Sequence, residues 1–268
     1  MNNNSIGVFD SGLGGLTAVK SISTVLPKEN IVYFGDTGRL PYGTKTEETI
    51  KQYAASDIRF LLSHNVKLVV IACGTASSVA LSDMRKMFKT PIVGVVEAAC
   101  GAAVMATNNK KVGVLGTSAT IKSSSYLRGI AELDSSIKVF QKACPLFVPL
   151  VENGHFDTQV TKLVVEEYLE PIKKEGVDTL ILGCTHYPLL EKAISEYMGD
   201  GVKIINVCKE LAKSIGTILG KDNLAEREDN GVCKYYVSDD EKGFAELGGV
   251  FLERKINGQV KKIDIEKY

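Results

Sequence analysis

Two stretches of the chain decide its fold: residues 66–75 read VKLVVIACGT, and residues 177–186 read VDTLILGCTH. Each is an apolar run typical of a buried parallel strand, followed by a cysteine and then by a helix-like segment. Cys73 and Cys184 therefore stand at equivalent strand-to-helix junctions, 111 residues apart. Because a helix N-terminus carries partial positive charge, we expect it to lower the pKa of both thiols below the usual ~8.5.

The repetition extends beyond the two cysteines. Three further pairs of segments match in the same order, with offsets of 106 to 111 residues: 6–11 with 112–117, 30–34 with 136–140, and 92–96 with 203–207. A half of about 100 residues is therefore used twice. We predict two similar lobes that face one another and bring both cysteines to a shared cleft.

The rest of the chain alternates short apolar runs with stretches of helical periodicity, which is typical of βαβ units. We predict an α/β fold of two pseudo-symmetric αβα sandwich lobes with largely parallel sheets and an interlobe active site. The predicted strands are 6–9, 31–34, 66–72, 92–96, 112–115, 137–140, 179–182, 203–207 and 233–237. The predicted helices are 15–25, 47–64, 76–88, 97–106, 121–132, 156–174, 188–198, 209–219 and 240–253.

The composition argues against several classes of protein. Lys plus Arg equals Asp plus Glu, at 32 each in 268 residues, so no net field recruits nucleic acid or anionic lipid. The sequence shows neither a signal peptide nor an apolar run near the ~20 residues of a membrane helix, so we expect a cytoplasmic protein. Six cysteines in such a chain are expected to be reduced, and a lone Cys-x-His predicts no metal site. Four of them are expected to be small, mostly buried hydrophobes: Cys100, Cys144, Cys208 and Cys233.

The glycine-rich loop at residues 10–15 (DSGLGG) is similar to a dinucleotide fingerprint, with Asp36 in the place of the ribose-binding acid. The fingerprint fails at its last position, where Thr17 replaces Gly or Ala. We expect the loop to offer backbone N–H groups to a small anion such as a carboxylate. Loops at 35–43, 116–120 and 145–154, with Arg39 and Lys45 nearby, also favour a small, polar, carboxylate-bearing ligand.

Two thiols at pseudo-symmetric positions suggest a particular chemistry. One can remove a proton from a carbon while the other supplies a proton from the opposite face, which inverts a stereocentre. Asp10, His186 and Glu152 could hold, charge or relay protons for the thiols, or could equally be structural. Neither cysteine has the surroundings of a papain-like nucleophile.

Seven segments closely resemble those of the cofactor-independent glutamate racemases, of the aspartate/glutamate racemase superfamily: GVFDSGLGGLTAVK, FGDTGRLPYGTK, IACGTAS, GTSATIKSSSY, CPLFVPLVENG, LGCTHYPLL and YYVSDD. The resemblance runs from about residue 5 to 255. It implies conversion of L-glutamate to D-glutamate for peptidoglycan synthesis, without pyridoxal phosphate, metal or nucleotide. It also implies a first lobe of residues 1–96 plus 208–268 and a second lobe of residues 97–207.

The resemblance also implies roles for individual residues. Cys73 would exchange the α-proton on the D-face and Cys184 on the L-face, with Asp10, His186 and Glu152 assisting. The implied substrate-binding residues are Asp10, Ser11, Pro41, Tyr42, Gly43, Gly74, Thr75, Thr117, Thr120, Thr185 and His186.

One departure from the family lies beside the chemistry. The family usually reads Cys-Asn-Thr where this chain has Cys73, Gly74 and Thr75, so a substrate-binding amide is missing. If that loss weakens binding, Gly74→Asn should lower KM for glutamate. An aspartate or broad-specificity racemase, and a racemase-like binding or regulatory protein, remain alternatives. A homodimer is possible, and we expect neither nucleic acid nor membrane as a partner.

Overall fold

The computed structural model describes residues 2–220, 223–225, 228–256 and 259–268. The strands are β1 Ile6–Asp10, β2 Ile31–Gly35, β3 Leu68–Ile71, β4 Ile92–Gly94, β5 Lys111–Gly116, β6 Lys138–Ala143, β7 Thr179–Leu182, β8 Lys203–Asn206, β9 Cys233–Val237 and β10 Val260–Lys262. The α-helices are α1 Leu16–Val25, α2 Glu47–Leu62, α3 Gly74–Met87, α4 Val95–Ala106, α5 Ser118–Ser123, α6 Ser125–Leu133, α7 Phe147–Glu152, α8 Gln159–Lys174, α9 Glu191–Met198, α10 Val207–Leu219 and α11 Glu241–Leu252.

In the described part of the chain, the strands form two sheets in which every pair is parallel. The orders are β10-β9-β2-β1-β3-β4 and β6-β5-β7-β8. The run β2-β1-β3-β4 thus corresponds strand for strand to β6-β5-β7-β8, which is the correspondence that the sequence offsets predict. We call the parts built around these sheets the first lobe and the second lobe.

The predicted bounds of the lobes, at residues 96/97 and 207/208, stay a prediction. The strands of the first sheet come from residues 6–94 and 233–262, and those of the second from residues 111–206. Residues 1, 221, 222, 226, 227, 257 and 258 of the predicted first lobe lie outside the described residues.

Helices cover both faces of the first sheet. Because side chains alternate along a strand, Val8 packs in one core with Leu16 of α1, while its neighbour Phe9 packs in another. The second core also contains Ile58 of α2 and Ala80 of α3. Both faces are therefore apolar, as expected of a parallel sheet enclosed by helices.

The chain passes between the lobes twice. α4 follows the last core strand of the first lobe, and α10 follows the last strand of the second. The two helices pack against each other, and α10 also packs on α1. Asn206 begins α10, because its side-chain oxygen accepts hydrogen bonds from the N–H groups of Cys208 and Lys209 at 3.1 and 3.2 Å.

Three elements differ from the sequence prediction. The single helix predicted at 121–132 is two helices, because Ser124 adopts a left-handed conformation with φ of 53°. The loop predicted at 145–154 contains α7, in which Pro149 occupies the first turn, where a missing N–H costs no helical hydrogen bond. The edge strand β10 was not predicted, because its three residues, VKK, are too short to show alternation. No helix among the described residues is long and apolar enough to cross a membrane.

Candidate active site

The candidate site is a cavity of about 320 Å³ between the two lobes, at the carboxyl ends of the strands. Its predicted lining residues are Ser11, Pro41, Tyr42, Gly43, Cys73, Gly74, Thr75, Thr117, Glu152, Cys184, Thr185 and His186. Sequence reasoning did not single out the other lining residues, which are Gly12, Leu40, Thr44, Ser118, Pro145, Val148 and Pro149. Each of these residues lies in a loop or helix that also supplies a predicted lining residue. Their closeness in sequence to the predicted residues could therefore have identified them.

The two thiols reach this cavity from opposite lobes. Cys73 precedes α3, and its sulfur accepts a hydrogen bond from the N–H of Ala76 at 3.5 Å and donates to Ser11 Oγ at 3.7 Å. Cys184 follows β7, with its sulfur 3.8 Å from His186 Nδ1. The exposed fractions of the two cysteines are 5% and 6%, so both thiols are shielded from bulk water.

The electrostatic surroundings of Cys73 differ from the sequence prediction. Burial and the nearby charge of Asp10 raise the pKa of Cys73 to about 12, although hydrogen bonds with Ala76 and Ser11 act in the opposite direction. The prediction of a lowered pKa is therefore wrong for Cys73, because the loss of water outweighs the helix N-terminus. At neutral pH this group is a thiol that carries a proton.

His186 and Glu152 form a pair beside Cys184. His186 Nε2 lies 3.1 Å from Glu152 Oε1, and the two side chains are 6% and 32% exposed. Burial alone would lower the pKa of His186, but hydrogen bonds with Cys184 and Glu152 and the charges of Cys184 and Asp10 raise it to about 10. The ring is therefore an imidazolium at neutral pH, and its Nδ1 atom lies 3.8 Å from the Cys184 sulfur.

Asp10 lies beneath the cavity and does not line it. Its carboxylate accepts hydrogen bonds from the N–H of Gly12 at 3.0 Å and from the hydroxyl of Thr185 at 3.3 Å. Burial raises the pKa of Asp10, although the positive charge of His186 and these hydrogen bonds oppose the rise. Asp10 thus joins the first lobe to the loop that carries Cys184.

A chain of three threonine hydroxyls crosses the cleft. Thr75 Oγ1 lies 2.9 Å from Thr117 Oγ1, which lies 3.0 Å from Thr120 Oγ1. Thr75 and Thr117 line the cavity, whereas Thr120 is fully buried behind Thr117. Thr120 therefore orients Thr117 from behind the cavity wall, and its predicted contact with substrate stays a prediction.

The loop at 39–44 lines the cavity with residues 40–44. The hydroxyl of Tyr42 points away, 2.6 Å from Asp36 Oδ2 and 2.9 Å from Asp57 Oδ2. Arg39 donates to the same two carboxylates, each at 2.7 Å, so it does not reach a ligand as the sequence suggested. Among the described residues that line the cavity, His186 is the one that carries positive charge.

Gly74 lies at a close approach of the two lobes. A Cβ atom at this position would lie 2.4 Å from the backbone oxygen of Gly183, closer than the 3.0 Å that such atoms respect. The prediction that Gly74→Asn would lower KM requires room for a side chain at residue 74. The structure shows no such room. Glycine here allows the start of α3 to contact the end of β7 directly.

The cysteines outside the site are free, and those predicted to be buried are buried except Cys233, which is partly exposed. In the described part of the chain, no group of three or more His, Cys, Asp or Glu residues has an arrangement that could hold a metal ion.

Comparison of the sequence with known proteins shows the family to which the chain belongs. A model of the Asp/Glu/Hydantoin racemase family matches residues 13–215. The chain is 43% identical over 263 residues to a glutamate racemase from Geobacter metallireducens, covering 98% of this chain and 97% of the relative.

Solved structures agree. A glutamate racemase from Bacillus anthracis has a TM-score of 0.95 at 37% identity, with 98% of each chain covered. The glutamate racemase from Francisella tularensis, solved in complex with D-glutamate, has a TM-score of 0.92 at 36% identity, with 100% of each chain covered. The chain therefore belongs to the Asp/Glu/Hydantoin racemase family and, within it, to the glutamate racemases. It is an isomerase.

Proposed function

We propose that this chain interconverts L- and D-glutamate by proton transfer between two cysteines, and that it supplies D-glutamate for peptidoglycan synthesis in the cytoplasm. The observation that carries the proposal is that Cys73 and Cys184 line one small cavity from opposite lobes. A planar intermediate between them is exposed to a different thiol on each face. The glutamate racemases that this chain resembles support the choice of substrate.

In the L-to-D direction, the Cys184 thiolate takes the α-proton of L-glutamate. The electron pair of the broken C–H bond stays on the α-carbon, conjugated with the carboxylate. The Cys73 thiol then gives its proton to the opposite face, and the same electron pair forms the new C–H bond. The products are D-glutamate, a Cys184 thiol and a Cys73 thiolate, so no oxidant or reductant is needed.

The charges around the two sulfurs suit this starting state. Burial and Asp10 raise the pKa of Cys73 to about 12, so Cys73 begins as the acid. His186 Nδ1 lies 3.8 Å from the Cys184 sulfur, so the positive charge of the ring faces the sulfur that we propose as the base. Glu152 holds the imidazolium through its Nε2 atom. Positioned acids and bases of this kind contribute ~10²- to 10⁴-fold to a rate.

Backbone N–H groups and hydroxyls are the proposed ligands for the substrate carboxylates. Gly74 and Thr75 are the first two residues of α3, where N–H groups have no acceptor within the helix. A helix N-terminus binds anions. Thr117 and Ser11 add hydroxyls to the lining of the cavity.

The test is circular dichroism of L-glutamate with purified protein and no added cofactor, with L-aspartate measured in parallel. We expect loss of the glutamate signal at a rate proportional to enzyme, and little change for aspartate. Cys73→Ala and Cys184→Ala should each abolish this loss. Racemisation of aspartate alone would contradict the substrate, and near-normal racemisation by either alanine variant would contradict the two-thiol mechanism.

A further inference from the structure

The loop that carries Cys184 and His186 has a backbone carbonyl that cannot be satisfied locally. In the turn that follows β7, the carbonyl of Cys184 accepts from the N–H of Tyr187, and that of His186 accepts from Leu189. The equivalent donor for the carbonyl of Thr185 would be residue 188, which is a proline without an N–H group. Thr185 is 2% exposed, so water does not replace the missing donor.

The donor comes from the opposite lobe. Thr17 lies in the first turn of α1, and its hydroxyl oxygen is 3.0 Å from the carbonyl oxygen of Thr185. The same hydroxyl lies 2.8 Å from the carbonyl oxygen of Gly14. This close approach requires glycine at position 14, because a Cβ there would lie 2.2 Å from Thr185 Oγ1 and 2.4 Å from His186 Nδ1.

A third cysteine completes the arrangement. The sulfur of Cys208, at the start of α10, lies 3.2 Å from Thr17 Oγ1. A threonine hydroxyl has one proton and two lone pairs, so it can share its proton between the two carbonyls while it accepts from a thiol. Cys208 is buried, with its pKa raised to about 12, so its S–H proton is available for this bond.

We propose that Thr17, oriented by the Cys208 thiol, is a positioning residue that holds the Cys184–His186 loop in its reactive geometry from the other lobe. The proposal rests on the proposed two-thiol racemisation and adds a residue to it. Thr17 is also the residue that breaks the dinucleotide fingerprint, so the hydroxyl at that position has a physical reason.

Loss of the hydrogen bond from Thr17 should disturb the Cys184 side of the site and leave the Cys73 side in place. The loop is held at two points by the first lobe: Asp10 accepts from the Thr185 hydroxyl, and Thr17 donates to the Thr185 carbonyl. Loss of the Thr17 bond leaves a buried carbonyl without a donor, which shifts the loop or admits water. Either change weakens the contact between His186 and Cys184, whereas Cys73 and the N-terminus of α3 lie on other elements.

The experiment compares Thr17→Val, which removes the hydroxyl at nearly constant volume, with Thr17→Ser, which keeps it. We expect Thr17→Val to lower kcat for L-glutamate about tenfold with KM within about twofold, since proton transfer and not carboxylate binding is disturbed. Thr17→Ser should restore most of kcat. The matched control is Thr24→Val on the same helix, whose hydroxyl bonds only to the carbonyl of Lys20 on an exposed face, and which should retain wild-type kcat.

A second measurement is independent of turnover: titration of the His186 ring by NMR. We expect the pKa of His186 to fall in Thr17→Val and to stay at about 10 in Thr24→Val and Thr17→Ser. Thr17→Ala provides the same deletion if the valine variant folds poorly. An unchanged kcat and His186 titration in the hydroxyl-deleted variants, or equal losses in Thr17→Ser and Thr17→Val, would overturn the proposal. Absence of glutamate racemisation by the wild type would instead overturn the proposed function, while the titration still tests Thr17.

Discussion

A side chain at position 74 is expected to impair catalysis by separating the two lobes. The relevant contact is between the start of α3 and the end of β7, where a Cβ on residue 74 would lie 2.4 Å from the backbone oxygen of Gly183. Gly183 is itself held in place, because its N–H donates to the backbone oxygen of Leu115 at 2.8 Å. The contact joins two backbones, so rotation of a side chain cannot relieve it.

The required movement sets the magnitude of the effect. The distance must increase from 2.4 Å to at least 3.0 Å for any side chain, and further for the amide of asparagine. Cys73 precedes residue 74 and Cys184 follows residue 183, so the same displacement should move apart the two sulfurs that we propose exchange the proton. A misplacement of about 1 Å costs about 10²-fold in rate, so we expect about a tenfold loss of kcat/KM for Gly74→Ala and about a hundredfold loss for Gly74→Asn.

The assay is the initial rate of racemisation in both directions, with thermal unfolding as a check on folding. Gly101→Ala is the matched control, because its added methyl on α4 meets no atom within 4 Å and should leave the rate unchanged. The reasoning is refuted if Gly74→Asn matches or exceeds the wild type, and a lowered KM with unchanged kcat would restore the view that an amide is missing from the site.

Three further predictions concern the two thiols and the charged side chains beside them. Cys73→Ser and Cys184→Ser should leave α-proton exchange in deuterated water strongly biased toward one enantiomer, and equal exchange from both would contradict the assignment of one thiol to each face. Glu152→Gln should lower the pKa of His186 from about 10, as measured by NMR titration. Because Glu152 stabilises the charged ring, the variant should also have a lower free energy of unfolding in urea. This loss should be complete below about pH 6.5 and absent above about pH 10. Asp10→Asn removes a charge that raises the pKa of Cys73, so alkylation of Cys73 by iodoacetamide should begin at lower pH.

The fold was predictable because its signals are local and repeated. The strand runs before Cys73 and Cys184 are short, apolar and followed by helical periodicity, and the same order recurs in the other half. The errors arose where local signals conflict with tertiary structure. Pro149 suggests a loop, yet it lies in the first turn of α7. Ser124 interrupts a helix by adopting a left-handed backbone conformation that the sequence does not predict.

The site was predictable at the level of loops but less so at the level of side-chain direction. The sequence could not show that the hydroxyl of Tyr42 points away from the cavity toward buried carboxylates, or that Asp10 lies beneath the cavity. It also could not show that burial raises the pKa of Cys73 by more than the helix N-terminus lowers it, because that balance depends on residues distant in the chain. Contacts across the lobes, such as that of Thr17 with Thr185, leave no periodic signal at all.

The two halves of the chain share a backbone plan but differ in the charges beside each thiol. By the sequence offsets, Asp10 in the first half corresponds to Gly116 in the second, and His186 in the second corresponds to Thr75 in the first. Each half therefore supplies one charged group where the other has a neutral residue. In the proposed mechanism, the repeated fold offers one thiol to each face of the substrate, and these unmatched groups give the two thiols different charged neighbours. Because the proposed mechanism runs in both directions, each turnover would leave the two sulfurs with exchanged protonation, and the burial and Asp10 charge that raise the pKa of Cys73 would then favour the return of the proton to it.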